Sequence, residues 1–173
     1  MLFTLCDGVV ATRAPRPNQP PRHGGHDAQN IAIERVDHIG VRVRNLDRAL
    51  GFYRVLGFTV VRRAEGDDVA IIRNEHGVEL NLVFNANAGD PATNILMDVR
   101  DKYPGYTHIA LRVASIPETV AALNENGIPI AQGPVSFGES EQISVFVRDP
   151  DRNVIELRGR EQGVVEGVTR YVP

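Results

Sequence analysis

The chain of 173 residues contains a single cysteine, Cys6, and a single lysine, Lys102. One cysteine excludes an internal disulfide framework and a zinc site built from several thiolates. A Schiff-base mechanism would require Lys102 itself to lie in the site. No apolar run approaches the length of a membrane span, and a net charge of −3 leaves no excess of positive charge for nucleic acid. We therefore expect neither a membrane nor a nucleic-acid partner.

The N-terminal segment differs in composition from the rest of the chain. Residues 1–30 are rich in proline and glycine and lack a periodic apolar pattern, which predicts a disordered arm. The first ten residues have no basic start, and Asp7 interrupts their apolar stretch, so they make a poor secretory signal. With a single cysteine in the chain, a cytoplasmic location is the expectation.

Beyond this arm the apolar residues follow strand and helix periods. Residues 36–43 predict a strand in which apolar side chains alternate with His38 and Arg42. Asn45 is placed to cap a following helix and Gly57 to end it. The order of elements is β-α-β-β-β, because three strand-like runs follow the helix: Phe58–Arg63, Val69–Arg73 and Gly77–Phe84.

The same order occurs a second time. After a strand at Tyr106–Val113, Ser115 is placed to cap a helix that Gly127 ends. The strands predicted after this helix are Ile128–Ala131, Gln142–Arg148 and Val154–Arg158.

The repeat is visible directly in the sequence. Sliding the chain by 70 residues places His38 on His108, and the segment Val78–Leu80 matches Ile155–Leu157 near the module ends. Such self-similarity indicates one supersecondary unit used twice. We predict one domain over residues 31–160. The parts of the chain are an arm at 1–30, module one at 34–84, a connector at 85–104, module two at 105–160 and a C-terminal tail at 161–173.

Four metal-competent side chains stand at equivalent places in the two modules: His38, Glu79, His108 and Glu156. In each strand the ligand residue alternates with core residues and therefore faces away from the core. If the two modules pair as a curved sheet, all four side chains could converge on its concave face. Two imidazoles and two carboxylates suit zinc, nickel, cobalt, manganese or iron. The alternative for each residue alone is a solvated polar side chain.

Three arginines share the strand faces of these ligands: Arg42, Arg112 and Arg158. Because arginine suits planar carboxylate and phosphate groups, we expect at least one of them to hold an anionic substrate. The alternative is that they are solvated at the rim of the sheet.

Several segments resemble the vicinal oxygen chelate superfamily, also called the glyoxalase/bleomycin resistance protein/dioxygenase family, and most closely its glyoxalase I (lactoylglutathione lyase) branch. These segments are DHIGVRV, NLDRALGFYRVLGF, GVELNLV, GYTHIALRV and VFVRDPDRNVIEL. The resemblance implies an α+β fold in which two βαβββ modules form an open, eight-stranded barrel-like sheet around one divalent metal. It also implies a homodimer whose sites combine modules from both chains.

The resemblance further implies a metal-ligand set made up of His38, Glu79, His108 and Glu156. Nickel, cobalt or zinc is favoured at each site, and iron or manganese is compatible with it. Arg42 matches a family arginine that contacts the carboxylate of glutathione.

Three positions depart from the family pattern. A glutathione-contacting asparagine is replaced by Val83, a lysine by Ser136, and the glycine after Asp-Pro-Asp by Arg152. The small-molecule substrate is therefore left open, a glutathione adduct being one candidate.

The leading hypothesis is a metal-dependent lyase or isomerase that stabilises a metal-chelated enediolate. Glu156, partly released from the metal when substrate binds, would act as the base, and Glu79 would return the proton. One alternative is a ring-cleaving dioxygenase with iron held by two histidines and one carboxylate, in which Glu79 would block a required position. Another is a metal-free drug-binding protein of the bleomycin-resistance type, which four intact ligands disfavour.

Overall fold

The structure, a computed structural model, describes residues 31–63, 65–87, 93–137, 141–160 and 167–171. The chain divides into two compact units, Met1–Arg35 and Val36–Pro173. The predicted disordered arm, residues 1–30, lies outside the described residues. Residues 31–35 are described and form neither helix nor strand. No helix in the described part of the chain is long and apolar enough to cross a membrane.

Two βαβββ modules make up the second unit, as the sequence predicts. The first contains β1 (Ile39–Arg42), α1 (Leu46–Val55), β2 (Thr59–Arg63), β3 (Val69–Arg73) and β4 (Glu79–Val83). The second contains β5 (Ile109–Arg112), α2 (Ile116–Glu125), β6 (Ile130–Phe137), β7 (Gln142–Arg148) and β8 (Val154–Arg160). A ninth strand, β9 (Thr169–Tyr171), lies in the C-terminal segment and has no counterpart in the sequence pattern.

Each module forms one open, mixed sheet. The strand orders are β1-β4-β3-β2 and β5-β8-β7-β6-β9. In both sheets the first strand of the module pairs in parallel with β4 or β8, with Ile39 opposite Leu80 and Ile109 opposite Ile155. The two registers are not equivalent. In the sequence repeat Leu80 corresponds to Leu157, but Ile109 lies opposite Ile155, which is two residues earlier. An even shift keeps equivalent side chains on the same face of the sheet, so the alternation predicted from the sequence is preserved.

Both helices begin and end where the sequence predicts. The Asn45 side chain accepts a hydrogen bond from the backbone N–H of Arg48, and the Ser115 hydroxyl accepts one from that of Glu118. The chain then leaves each helix through a glycine with left-handed backbone, φ 82° at Gly57 and 66° at its equivalent in module two.

The core lies on the sheet faces opposite the predicted ligands. In β4, Leu80 and Leu82 have no exposed surface, whereas Glu79 is partly buried. In β8, Ile155 is 1% exposed, and Glu156 on the other face is only 5% exposed. The second sheet is therefore covered on both faces around Glu156, which places a carboxylate in a largely water-free environment.

Strand β6 runs six residues further than the predicted run at 128–131, because a register shift between Gln132 and Val135 accommodates Gly133 and Pro134. Gly133 has φ 99°, and a Cβ atom there would lie 2.4 Å from the carbonyl oxygen of Ser144. Only glycine fits this position.

The turn at residues 149–153 joins the two modules. The hydroxyl of Tyr53 in α1 donates to Asp149 at 3.1 Å, and the Arg48 guanidinium donates to Asp151 at 2.6 Å. The Asn153 amide donates to the carbonyl oxygen of Arg42 at 3.0 Å. Burial raises the pKa of Asp149, and burial together with the neighbouring carboxylate raises that of Tyr53.

Replacing Asp149 by alanine is expected to lower the free energy of unfolding by about 3 kcal/mol, because buried donors around it lose their acceptor. These donors are the Tyr53 hydroxyl, the backbone N–H of Asp151 and both the backbone and the side-chain N–H groups of Asn153. Urea unfolding followed by far-UV circular dichroism measures the change. Tyr53→Phe removes only one hydrogen bond and should cost about 1 kcal/mol. Equal losses in the two variants would contradict the assignment of Asp149 as the shared acceptor.

Candidate metal centre

The first ligand pair lies where β1 and β4 meet. His38 immediately precedes β1, and Glu79 begins β4 directly beside it in the parallel register. One ligand atom from each of Asp37, His38 and Glu79 lies within 4.8 Å of the others. This is the only group of three potential ligands found among the described residues. The predicted pair is therefore brought together, with Asp37 as an additional carboxylate.

The second ligand pair lies where β5 and β8 meet. The Nε2 atom of His108 is 3.2 Å from Oε2 of Glu156. The other carboxylate oxygen, Oε1, accepts a hydrogen bond from the Ser144 hydroxyl at 2.5 Å and lies 3.5 Å from the Arg158 guanidinium. The side chain of His108 is 38% exposed, so the imidazole edge reaches solvent while the carboxylate stays buried.

Both histidines are oriented by the residue that precedes them. The Nδ1 atom of His38 is 2.8 Å from the Asp37 carboxylate, and that of His108 is 2.9 Å from the Thr107 hydroxyl. Because an ionised carboxylate only accepts, Asp37 selects the tautomer of His38 that carries its proton on Nδ1. The Nε2 lone pair is then left for a metal, the arrangement usual for metal-binding histidines.

The two glutamates differ in their neighbours across the sheet. Glu79 faces Arg73 on β3, whose Nε atom donates to Oε2 at 3.0 Å and whose terminal nitrogen contacts the same oxygen. Glu156 faces Phe146 on β7. The first carboxylate is thus restrained by a guanidinium on a single oxygen, which leaves its Oε1 atom available to a ligand.

Within one chain the two pairs do not form a single cluster, since His108 and Glu156 are absent from the group of described ligand atoms that lie within 4.8 Å of one another. Both histidines nevertheless line a common cavity of about 480 Å³ at the junction of the modules. The convergence of four ligands predicted from the sequence is therefore seen as two separate pairs.

The three arginines predicted to bind substrate occupy different surroundings. Arg42 is exposed and lines the cavity shared by the two histidines. Arg158 lies beside Glu156. Arg112 is opposite Arg158 on the neighbouring strand but lines a separate cavity of about 610 Å³. Of the three, Arg158 is the one in contact with a predicted ligand.

The connector contributes to the shared cavity through Asn94 and Leu96. Asp98 holds this segment in place by accepting hydrogen bonds from Arg152 at 2.7 Å and from Arg148 at 3.0 Å. The Arg152 hydrogen bond is the main cause that lowers the pKa of Asp98 to about 2. Arg152 has a left-handed backbone, φ 65°, and its side chain anchors the connector through its hydrogen bonds to Asp98.

Several residues of the centre were not assigned from the sequence: Asp37, Arg73, Thr107, Ser144 and Phe146. The residue before each histidine could have been found, because Asp37 and Thr107 occupy equivalent positions in the 70-residue repeat. The others are brought to the glutamates by pairing between strands, which no local pattern in the sequence reports.

Comparison with known proteins identifies the family. Residues 35–157 match the profile described as the Glyoxalase/Bleomycin resistance protein/Dioxygenase superfamily, and the chain belongs to it. The resemblance and the fold predicted from the sequence are thereby confirmed. Membership supports a vicinal oxygen chelate enzyme that acts on a small molecule, and it covers more reactions than lactoylglutathione cleavage alone.

Individual relatives are distant. The glyoxalase domain-containing protein RDO1 of Mycosarcoma maydis is 26% identical over 132 residues, covering 75% of this chain and 70% of that protein. A probable lactoylglutathione lyase of Synechocystis sp. is 29% identical over 129 residues, covering 69% and 91%. The crystal structure of a glyoxalase/dioxygenase from Nostoc punctiforme has a TM-score of 0.59 at 23% identity, covering 78% and 100%, and so shares the fold.

Proposed function

We propose that this protein is a metal-dependent lyase or isomerase of the glyoxalase I type. The observation that carries the proposal is the duplicated pair of one histidine and one glutamate, in which each Nδ1 atom is held by the preceding residue. Duplication of both the ligands and their orienting neighbours is hard to explain for residues that are merely solvated.

The residues present fit a divalent cation. Two Nε2 atoms and two carboxylates form a mixed nitrogen and oxygen donor set that favours nickel, cobalt or zinc and is compatible with iron or manganese. When bound, the cation would act as a Lewis acid for the negative charge that develops on two neighbouring substrate oxygens. The ligands would be His38, Glu79, His108 and Glu156.

Side chains of the protein carry out the proton transfers and bind the substrate. Glu156 takes the proton from the carbon next to the substrate carbonyl, and Glu79 returns a proton to the same or the neighbouring carbon, so that no co-reactant is consumed. Ser144 donates to Oε1 of Glu156, so the basic atom would be Oε2, which lies 3.2 Å from Nε2 of His108. Arg158 anchors an anionic group of the substrate beside this carboxylate, while Arg42 and Arg112 provide further positive charge at the rim.

The separation of the two pairs within one chain favours a site assembled from two chains. A homodimer would place the first pair of one protomer against the second pair of its partner, with two equivalent sites related by the dimer axis. Each site then has four protein ligands, and positions of a six-coordinate cation stay open for substrate oxygens.

Arg73 is expected to compete with the cation for Glu79. In Arg73→Gln a guanidinium no longer offsets the carboxylate charge, so Co²⁺ affinity should rise about three- to tenfold. Calorimetric titration of chelator-treated protein measures this. Arg54→Gln, which removes a basic residue from the last turn of α1, is the matched control and should leave the affinity unchanged. Weaker binding in Arg73→Gln would instead assign Arg73 to orienting Glu79 for the cation.

Elemental analysis followed by an isotope-exchange assay tests the proposed function. Protein purified without chelators should contain about one transition-metal ion per chain. It should also catalyse metal-dependent uptake of solvent deuterium at the methylene carbon of hydroxyacetone, followed by NMR. Turnover of methylglyoxal plus glutathione, measured beside it, would identify the glyoxalase I reaction itself. Absence of metal, or exchange unaffected by chelators, contradicts the proposal; iron together with catechol cleavage would identify the dioxygenase instead.

A further inference from the structure

A row of aromatic side chains runs outward from the second ligand pair. The rings of His108 and Phe146 meet edge to face with centroids 6.0 Å apart. Phe146 and Phe137 are 6.2 Å apart in the same geometry, and Phe137 and Tyr171 are 5.3 Å apart. We call Phe146, Phe137 and Tyr171 the aromatic row.

Strand pairing fixes the aromatic row on the face that carries Glu156. Phe146 on β7 lies directly opposite Glu156 on β8, and Phe137 on β6 lies opposite Tyr171 on β9. The pairing of β9 with β6 therefore fixes the position of Tyr171. The arrangement is rigid enough to act as a binding surface, because each ring stands on a paired strand.

The aromatic row remains partly open to solvent. Phe146 and Phe137 are half-buried, and Tyr171 is 48% exposed. Contiguous apolar surface beside convergent polar groups is typical of a small-molecule site. A ligand that covered these rings would release water from them and gain the edge-to-face and stacking contacts that aromatic groups make with one another.

The polar end of this surface lies at the second ligand pair. His108 presents Nε2, and the Arg158 guanidinium lies 3.5 Å from the Glu156 carboxylate. The positive charge of Arg158 complements a ligand with negatively charged oxygens at one end, whereas the rings complement an apolar group at the other. A glutathione adduct carries two carboxylates and an ammonium group, and the three rings offer these charges no partner.

We propose that the aromatic row binds the apolar body of the substrate, and that the substrate is a small ring-bearing 2-hydroxy ketone or 2-hydroxy acid rather than a glutathione adduct. This inference rests on the proposed function, because the two neighbouring oxygens of such a molecule are those that the cation would chelate. The row then determines specificity, and the ligand pairs determine the reaction.

The proposal is tested by measuring how tightly the full-length, Co²⁺-loaded protein binds two acids. These acids differ only in whether they carry an aromatic ring. Mandelate and lactate share the hydroxyl and carboxylate oxygens but carry a phenyl and a methyl group respectively. Mandelate should bind about tenfold more tightly than lactate. The visible absorption of Co²⁺ reports both titrations. With the ketones 2-hydroxyacetophenone and hydroxyacetone, deuterium exchange should show the same preference in kcat/KM.

Variants of the row localise the effect. Phe146→Leu and Tyr171→Ala should each lower mandelate affinity about three- to tenfold and leave lactate unchanged. The matched controls are Phe84→Leu, a half-buried ring in module one, and Tyr103→Ala, a tyrosine that is 58% exposed. Neither control should alter the binding of either acid.

Four outcomes would overturn the inference. Equal affinity for the two acids, with Co²⁺ bound, would refute it while the proposed function stands. Tighter binding of S-benzylglutathione than of mandelate would assign the site to glutathione adducts. A change of oligomeric state in Tyr171→Ala would show that a second copy of the chain covers the row. Failure of the wild-type protein to bind Co²⁺ would overturn the proposed function and this inference together.

Discussion

Replacing Glu156 by glutamine is expected to lower turnover about 10²- to 10⁴-fold, the usual contribution of a general base. Glutamine keeps the shape of the side chain and one carbonyl oxygen, so the Ser144 hydroxyl can still donate to it. What is lost is the oxygen that accepts the substrate proton. The rate of deuterium uptake under metal-saturating conditions measures the effect, with metal content determined on the same samples.

Glu125→Gln provides the matched control for this substitution. Glu125 is an exposed carboxylate at the end of α2, so its replacement removes the same charge from the same module without touching the site. The control should retain wild-type turnover. If Glu156→Gln kept both its metal and its turnover, Glu156 would not be the base.

Mixing two inactive variants is expected to restore activity if each site combines two chains. One variant carries His38→Ala with Glu79→Gln, and the other carries His108→Ala with Glu156→Gln. In a mixed dimer one site combines the two damaged pairs and the other combines the two intact pairs. After random subunit exchange about a quarter of the sites should be intact, with activity and bound metal recovering in proportion.

The experiment distinguishes a site built from two chains from a site built within one chain, because neither variant alone has a complete site. Size-exclusion chromatography and circular dichroism establish that both variants remain folded dimers before and after exchange. Exchanged dimers that recover neither metal nor activity would mean that the two pairs of a single chain act together. The same mixture prepared without subunit exchange serves as the baseline.

Much of the fold was predictable because its determinants are local. Asn45 and Ser115 cap their helices as expected, since a capping side chain bonds to an N–H only three residues ahead. Strands β3 and β7 have the predicted bounds, Val69–Arg73 and Gln142–Arg148, because alternation marks a strand that is buried on one face.

The errors occur where distant pairing overrides local signals. The predicted first strand began at residue 36, but β1 begins at Ile39, where pairing with Leu80 starts. The predicted run at 128–131 stopped short of Gly133-Pro134, yet β6 continues beyond this pair because β7 and β9 supply partners on both sides. Nothing in the composition of the C-terminal tail indicated that it would supply Tyr171 to the sheet.

From the order of its residues alone, this chain already specified a duplicated βαβββ unit, the faces of its strands and the four side chains suited to a metal. Those properties follow from periods of two and 3.6 residues and from a repeat that can be read directly. Only the folded chain decided that Arg73 meets Glu79, that Ser144 and Phe146 meet Glu156, and that the four ligands stand as two pairs. These contacts depend on which strands become neighbours and in which register, a choice made by the burial of the whole core rather than by any single segment.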